Sequence, residues 1–222
     1  MKIGTLGAGT VAQAIARHAV AHGHQAVLSN SRGPASLAGL ADELGPLAHV
    51  GTPQEAAAAE LVVLAVGWPQ IPDAIAGLPP FDGRIVIDAT NQFASPPPHT
   101  KIADLGELTG SEHVASLLPG ARVVKAFNTL YGQYIAADPR HQAGRQVLFL
   151  AGDDADAKTT VKDSPPPSAS PPSTSAPCAR ADASCSSEAH SPASTPSNRT
   201  EPGPRPFLAL LLIHPSVQGS CS

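Results

Sequence analysis

Lys2-Ile3-Gly4-Thr5-Leu6-Gly7-Ala8-Gly9-Thr10-Val11-Ala12 decides the fold. Its first five residues predict a strand from Lys2 to Leu6. A helix is predicted from Val11 to about His22. Between them stands the pattern G-x-G-x-x-A, in which each small residue has a task. Gly7 permits the tight turn, Gly9 lets a ligand approach the backbone, and Ala12 lets helix and strand pack closely. The free amides at the helix start, with the positive end of the helix dipole, suit phosphate groups. A Gly-rich turn without a ligand would show the same letters. The preceding strand, the following helix and a second strand ending at the expected distance favour a dinucleotide.

Working outward, Gln25 to Ser29 predicts the second strand and Ala35 to Leu44 a helix. A short strand near Ala48 to Val50 leads into a helix opened by Pro53, a favoured first-turn residue. Leu61 to Val66 is an unbroken apolar run, as a strand covered on both faces requires. Asp73 to Ala76 predicts a brief helix. Further strands are predicted at Arg84 to Asp88, Arg122 to Ala126 and Gln146 to Ala151. Strands alternating with helices imply right-handed βαβ units. The fold class expected is α/β: a Rossmann-type, doubly wound, mostly parallel sheet.

The choice of dinucleotide is made about twenty residues after the glycine loop. Chains that bind NAD place Asp or Glu there for the ribose hydroxyls. This chain has Ser29-Asn30-Ser31-Arg32. No carboxylate repels a 2′-phosphate, and Arg32 offers a planar fork of donors suited to one. An ordinary polar turn is the plainer reading; the position of the loop in the fold favours NADP(H). Three more segments leave strands on the same edge: Ala65-Val66-Gly67-Trp68-Pro69, Asp88-Ala89-Thr90-Asn91 and Ala126-Phe127-Asn128-Thr129-Leu130. The expected cofactor-binding residues are Gly7, Ala8, Gly9, Thr10 and Val11 in the first loop and Ser29, Asn30, Ser31 and Arg32 in the second. Ala65, Val66, Trp68, Ala89, Thr90, Asn91, Asn128 and Thr129 complete the set.

Other residues read more plainly. Trp68 also reads as a cap on the core, Asp88 as an acceptor for neighbouring amides and Lys125 as a charge snorkelling from a strand end. The histidines read as surface residues, without the spacing of metal or acid–base work. No catalytic residue and no metal site is predicted.

Composition changes after residue 162. Pro165-Pro166-Pro167-Ser168 and Pro171-Pro172-Ser173-Thr174-Ser175 open a stretch dominated by Pro, Ser, Ala and Thr. Such a segment cannot bury enough apolar surface to offset its ordering entropy. The expected organisation is a domain over 1–162 and a disordered low-complexity tail over 163–222, with Phe207 to Ile213 its one apolar patch. A natural extension and a reading-frame error in GC-rich coding DNA both fit. The interruption of a helix just begun, Asp154 to Val161, favours the error. A net charge of −4 without a basic stripe argues against nucleic acid. The apolar patch is too short to span a bilayer, and Lys2 begins a strand, so no leader is expected. All three cysteines fall in the last quarter without zinc spacing, which suits a cytoplasmic setting.

Taken together, these segments resemble the NADPH-dependent reductases of coenzyme F420, a deazaflavin. They are similar too to the NADPH domain of metalloreductases that reduce flavin. The likeness is carried by the glycine loop, by Leu28-Ser29-Asn30-Ser31-Arg32-Gly33-Pro34, by Val86-Ile87-Asp88-Ala89-Thr90-Asn91 and by Val123-Val124-Lys125-Ala126-Phe127-Asn128-Thr129-Leu130. Val147 to Asp154 adds to it, and coverage ends near residue 161. The resemblance implies hydride transfer between NADP(H) and a deazaflavin or flavin co-substrate, in a small-molecule enzyme that forms a homodimer. It also implies a further helix, strand and Gly/Leu-containing segment where this chain has its Pro/Ser tail, so the last strand is expected to be exposed and turnover poor. Two other functions fit the same frame: reduction of imines or small carbonyls, and NADP(H) binding without catalysis.

Overall fold

Six short strands lie side by side, all parallel, in a computed structural model of the chain that describes residues 1–95, 98–138, 140–141 and 144–163. They are β1 (Lys2–Leu6), β2 (Gln25–Ser29), β3 (Ala48–Val50), β4 (Leu61–Leu64), β5 (Ile85–Asp88) and β6 (Arg122–Lys125). Their spatial order is β3-β2-β1-β4-β5-β6. The chain therefore winds outward from β1 in one direction, returns, and winds outward from β4 in the other. The crevice where the order reverses, at the carboxyl ends of β1 and β4, is where such sheets bind ligands.

Helices cover both faces: α1 (Thr10–Ala21), α2 (Ala38–Leu44), α3 (Pro53–Ala57), α4 (Ile71–Ile75), α5 (Gly110–Leu117), α6 (Gly132–Ala136) and α7 (Ala155–Asp163). Because strand side chains alternate, the central strands feed cores on both faces of the sheet. Ile3, Leu61, Val63, Ile87 and Val124 pack with Ile15 and Ala19 of α1, Ile135 of α6 and Val161 of α7. Leu6, Val27, Val62, Leu64 and Val86 pack with Ala56 and Ala57 of α3, Ile71 of α4 and Val114 of α5. Every residue of β4 is consequently buried, which explains its unbroken apolar run.

Two glycines set the closest approaches. A Cβ on Gly4 would stand 1.9 Å from the Ala56 carbonyl oxygen, so α3 lies directly on the β1 backbone. A Cβ on Gly132 would stand 2.8 Å from the Thr10 hydroxyl oxygen, so the start of α6 crosses the start of α1. Local sequence starts these helices. Thr52 and Glu55 form a reciprocal capping box ahead of α3, and Thr109 and Glu112 form another ahead of α5. The Glu112 carboxyl is held below its usual range by the Thr109 amide and hydroxyl.

The structure departs from the sequence reading in several places. The expected strand Gln146–Ala151 is not one: residues 146–150 run without a ladder, and a single antiparallel bridge joins Ala151 to Lys125. Helices α5 and α6 were not anticipated. The helix expected from Ala35 begins as a 3-10 turn, Pro34–Leu37, because φ at Gly33 is 85° and the chain must still swing from β2 into the helix direction. Histidines are not all surface residues. His24 is fully buried, and the His18 Nε2 atom lies 2.5 Å from the Ile135 carbonyl oxygen. Apart from Asp163, which ends α7, the expected tail lies outside the described residues. Among the described residues, no helix is long and apolar enough to cross a membrane.

Candidate dinucleotide cleft

Four backbone amides mark the carboxyl edge of the sheet. Gly7 donates to the Ser29 carbonyl (3.1 Å), Ala65 to Leu6 (2.9 Å), Ala89 to Leu64 (3.1 Å) and Ala126 to Asp88 (3.1 Å). Each is the first or second residue after a strand's core, so the four loops leave the sheet on one side, in strand order. Above β1, β2 and β4 lies a cleft of about 450 Å³, lined by Gly7, Ala8, Gly9, Ser29, Asn30, Ser31, Arg32, Ala65 and Val66 of the expected set.

The glycine loop is shaped as its sequence requires. Gly7 has φ 101°, and a Cβ there would stand 2.4 Å from the Ala65 carbonyl oxygen. Only glycine fits both demands. Gly9 precedes α1 in an extended conformation, and a Cβ on it would meet nothing within 4 Å. The cleft is therefore open at Gly9, directly before the first turn of α1. Gln13 Nε2 donates to the Ala8 carbonyl (2.9 Å) and holds the loop. Ala12 is fully buried against the sheet.

The second loop divides its labour. Ser29 is buried and spends its hydroxyl proton on the Thr5 carbonyl (2.7 Å), tying β2 to β1. Asn30 serves the loop itself: its Oδ1 accepts from the Arg32 amide (2.9 Å), and its Nδ2 donates to Ser36 (2.9 Å). Ser31 and Arg32 are exposed at the rim, and among the described residues the Arg32 guanidinium makes no ion pair. A free guanidinium and a hydroxyl beside a helix N-terminus form an anion-accepting rim. These residues, with the Gly9 cradle, fit a dinucleotide bearing a 2′-phosphate.

The opposite wall comes from residues the sequence did not nominate: Pro53, Gly67, Gln70, Asp73 and Ala74. Gln70 Oε1 accepts from the Gly67 amide (2.9 Å) and shapes the turn into α4. The rule that ligands sit between the β1 and β4 loops would have pointed to this stretch.

Eight expected residues stand away from the cleft. The Thr10 side chain faces Gly132, and Val11 packs into the core below α1. Trp68 opens the 3-10 turn Trp68–Gln70 and packs over the second core, its ring 5.5 Å from that of His113. Ala89 and Thr90 are buried. Asn91 Nδ2 donates to the Asn128 carbonyl (3.0 Å), joining the loops after β5 and β6. Thr129 is exposed beside them. Beneath this pair Asp88 is an acceptor for its surroundings, taking hydrogen bonds from the Thr90 amide (2.9 Å), the Thr90 hydroxyl (2.7 Å), Ser111 (3.0 Å) and Lys125 (2.9 Å). Lys125 does not snorkel outward. Its ammonium turns in to Asp88 and to the Thr90 carbonyl (2.6 Å), because the buried carboxylate needs a counter-charge. Among the described residues, no group of three His, Cys, Asp or Glu could hold a metal ion.

Residues 2–92 match the family described as NADP oxidoreductase, coenzyme F420-dependent. A crystal structure of a hypothetical protein from Sinorhizobium meliloti is 39% identical, with a TM-score of 0.65, over 72% of this chain and 77% of that one. A crystal structure from Arthrobacter, named as an F420-dependent NADP reductase, is 28% identical, with a TM-score of 0.62 and the same coverage. The metalloreductase STEAP3 of Rattus norvegicus is 32% identical over 163 residues, 73% of this chain. The chain spans about a third of that protein's length, 31%.

Proposed function

The chain belongs to the family of NADP oxidoreductases, coenzyme F420-dependent, and on that premise we propose that it binds NADP(H) across the cleft and passes hydride between it and a deazaflavin or flavin. The observation that carries the reading is the meeting of two elements in one cleft: the Gly7–Gly9 loop with its open Cβ space at Gly9, and Arg32, exposed beside Ser31.

In this reading the pyrophosphate rests on the first-turn amides of α1, and Arg32 and Ser31 receive the 2′-phosphate. Ser29 and Asn30 hold the loop's shape from behind. The dinucleotide supplies the hydride when bound; the chain orients its two halves along the sheet edge and keeps water from the reacting faces. No side chain has to move a proton for this, which agrees with a cleft whose one lining carboxylate among the described residues is Asp73, on the wall opposite the phosphate-accepting rim.

Fluorescence titration with NADPH and with NADH tests the binding, followed by assay with coenzyme F420 and with a free flavin. Expected is tight binding of NADPH, weak binding of NADH, and oxidation of NADPH by one of the two acceptors. Preference for NADH sinks the Arg32 argument. Tight NADPH binding with neither acceptor reduced leaves a binding protein and removes the hydride transfer.

A further inference from the structure

Asp88 and Lys125 form a buried ion pair that the hydride chemistry does not use. The Asp88 side chain is 0% exposed and that of Lys125 is 19% exposed. Burying such a pair costs desolvation that apolar residues of similar volume would not incur. Its geometry shows what the pair accomplishes. Lys125, the last residue of β6, reaches back across the sheet to β5 and holds both the Asp88 carboxylate and the Thr90 carbonyl. Asp88 in turn closes a tight turn onto the Thr90 amide and hydroxyl and anchors Ser111 of α5. The loop after β5 is thereby clamped one residue before Asn91.

The loop after β6 is held from the other side. Phe127 is fully buried and adopts φ 64°, a left-handed conformation costly for an aromatic residue. That turn brings the Asn128 carbonyl to the Asn91 amide (3.0 Å), and Asn128 Nδ2 lies 3.4 Å from Asn91 Oδ1. Among the described residues, Asn128 Oδ1 accepts no hydrogen bond. An amide ligand, itself donor and acceptor, complements what this pair leaves over.

The sheet order says which part of a dinucleotide arrives there. With the phosphates on α1 above β1, and the 2′-phosphate toward β2 at Arg32, the other half must run across β4 to β5. That is two inter-strand steps, about 10 Å. We propose that the Asp88–Lys125 pair is a positioning device, which clamps the exit loops of β5 and β6 so that Asn91 and Asn128 receive the carboxamide of the nicotinamide. The inference rests on the NADP(H) reading above.

Calorimetric titration with NADPH and with 2′,5′-ADP, which keeps the 2′-phosphate and lacks the nicotinamide, tests it. Lys125→Met alone strands a buried carboxylate and endangers folding. The variant Asp88→Asn/Lys125→Met is neutral and nearly isosteric, and keeps an acceptor for the Thr90 amide. For it, 2′,5′-ADP affinity stays within about twofold of wild type, while NADPH affinity falls about tenfold. Lys125→Arg restores the NADPH preference. Should the double variant fail to melt cooperatively, Asn91→Ala answers the same question with the same selective loss. The proposal is overturned if NADPH and 2′,5′-ADP weaken together, if neither changes, or if wild type fails to distinguish them. If wild type binds neither ligand, the cofactor reading itself falls, and the proposal with it.

Discussion

At the scale of single residues, two glycines in the first eleven positions do opposite work. Gly4 has no room for a Cβ, which would meet the Ala56 carbonyl oxygen at 1.9 Å, and Gly9 has nothing within 4 Å. Gly4→Ala must push α3 off β1, and overpacking against backbone costs about 1–3 kcal/mol. A lowered melting temperature is expected, with NADPH affinity per folded molecule little changed. Gly9 already has an extended backbone, φ −76°, so Gly9→Ala should melt within a degree or two of wild type. Its methyl group enters the space over the α1 amides, so NADPH affinity should fall at least tenfold. Melting curves and titrations on both variants check the pair; a cofactor elsewhere would leave Gly9→Ala binding normally. Arg32→Ala removes a charge-assisted contact of about 1.5–3 kcal/mol. NADPH binding should weaken by roughly tenfold to a hundredfold, and NADH binding should not. Equal loss for both would assign Arg32 to the fold of the loop.

At the scale of elements, the packing of α1 carries a pH dependence. His18, on α1, and His24, in the turn from α1 to β2, are both pushed down in pKa, first by burial. The N-terminal amine adds to the effect at His24, which falls to about 4. An unfolded histidine titrates near 6.5. Between those values the unfolded state binds the extra proton, so the contribution of His24 is whole above about pH 6.5, declines as the pH falls, and is gone below about 4. Its size is on the order of 3 kcal/mol. The gap in melting temperature between wild type and His24→Gln should therefore be wide at pH 7.5 and narrow at pH 5. A gap that stays constant would show that His24 does not titrate differently in the folded state.

How far elements could be read in advance followed their physics. The boundaries of β1 and β2 are visible because each is an apolar run cut by a glycine turn or a polar loop. The start of α5 was missed although it carried a signal: Thr109 and Glu112 have capping-box spacing. Helix α6, only five residues long, shows no period, and its existence depends on Gly132 fitting against Thr10. Residues 146–151 alternate like a strand, but a strand needs a partner, and only Ala151 finds one, in Lys125. In the cleft, fold rules located the loops. They did not say that Ser29 and Asn30 would turn their donors inward, or that Asp73 would come round on α4, because those outcomes depend on side-chain partners remote in sequence.

At the scale of the whole molecule, the two ends of the sheet are finished differently. At one end β3 is a three-residue edge, and short edges pair poorly with strangers. At the other, β6 is followed in space by the extended run 146–150, which buries Leu148 (3% exposed) and presents Val147 (38%) and Phe149 (68%) outward. Tyr134 of α6 is half exposed on the neighbouring stretch, where Gln146 Nε2 donates to its carbonyl (3.0 Å). An extended, apolar, unladdered margin is the kind of surface on which chains associate. Phe149→Lys places a charge there without touching the core, so its cost to stability should stay within about 0.5 kcal/mol. Light scattering across a concentration series should show less self-association than in wild type, with NADPH affinity unchanged because the cleft lies over β1 and β4. If the variant associates as wild type does, the margin is covered or inert, and association has another origin. If it loses NADPH affinity, the far end of the sheet is coupled to the cleft through β6 and the Lys125 clamp.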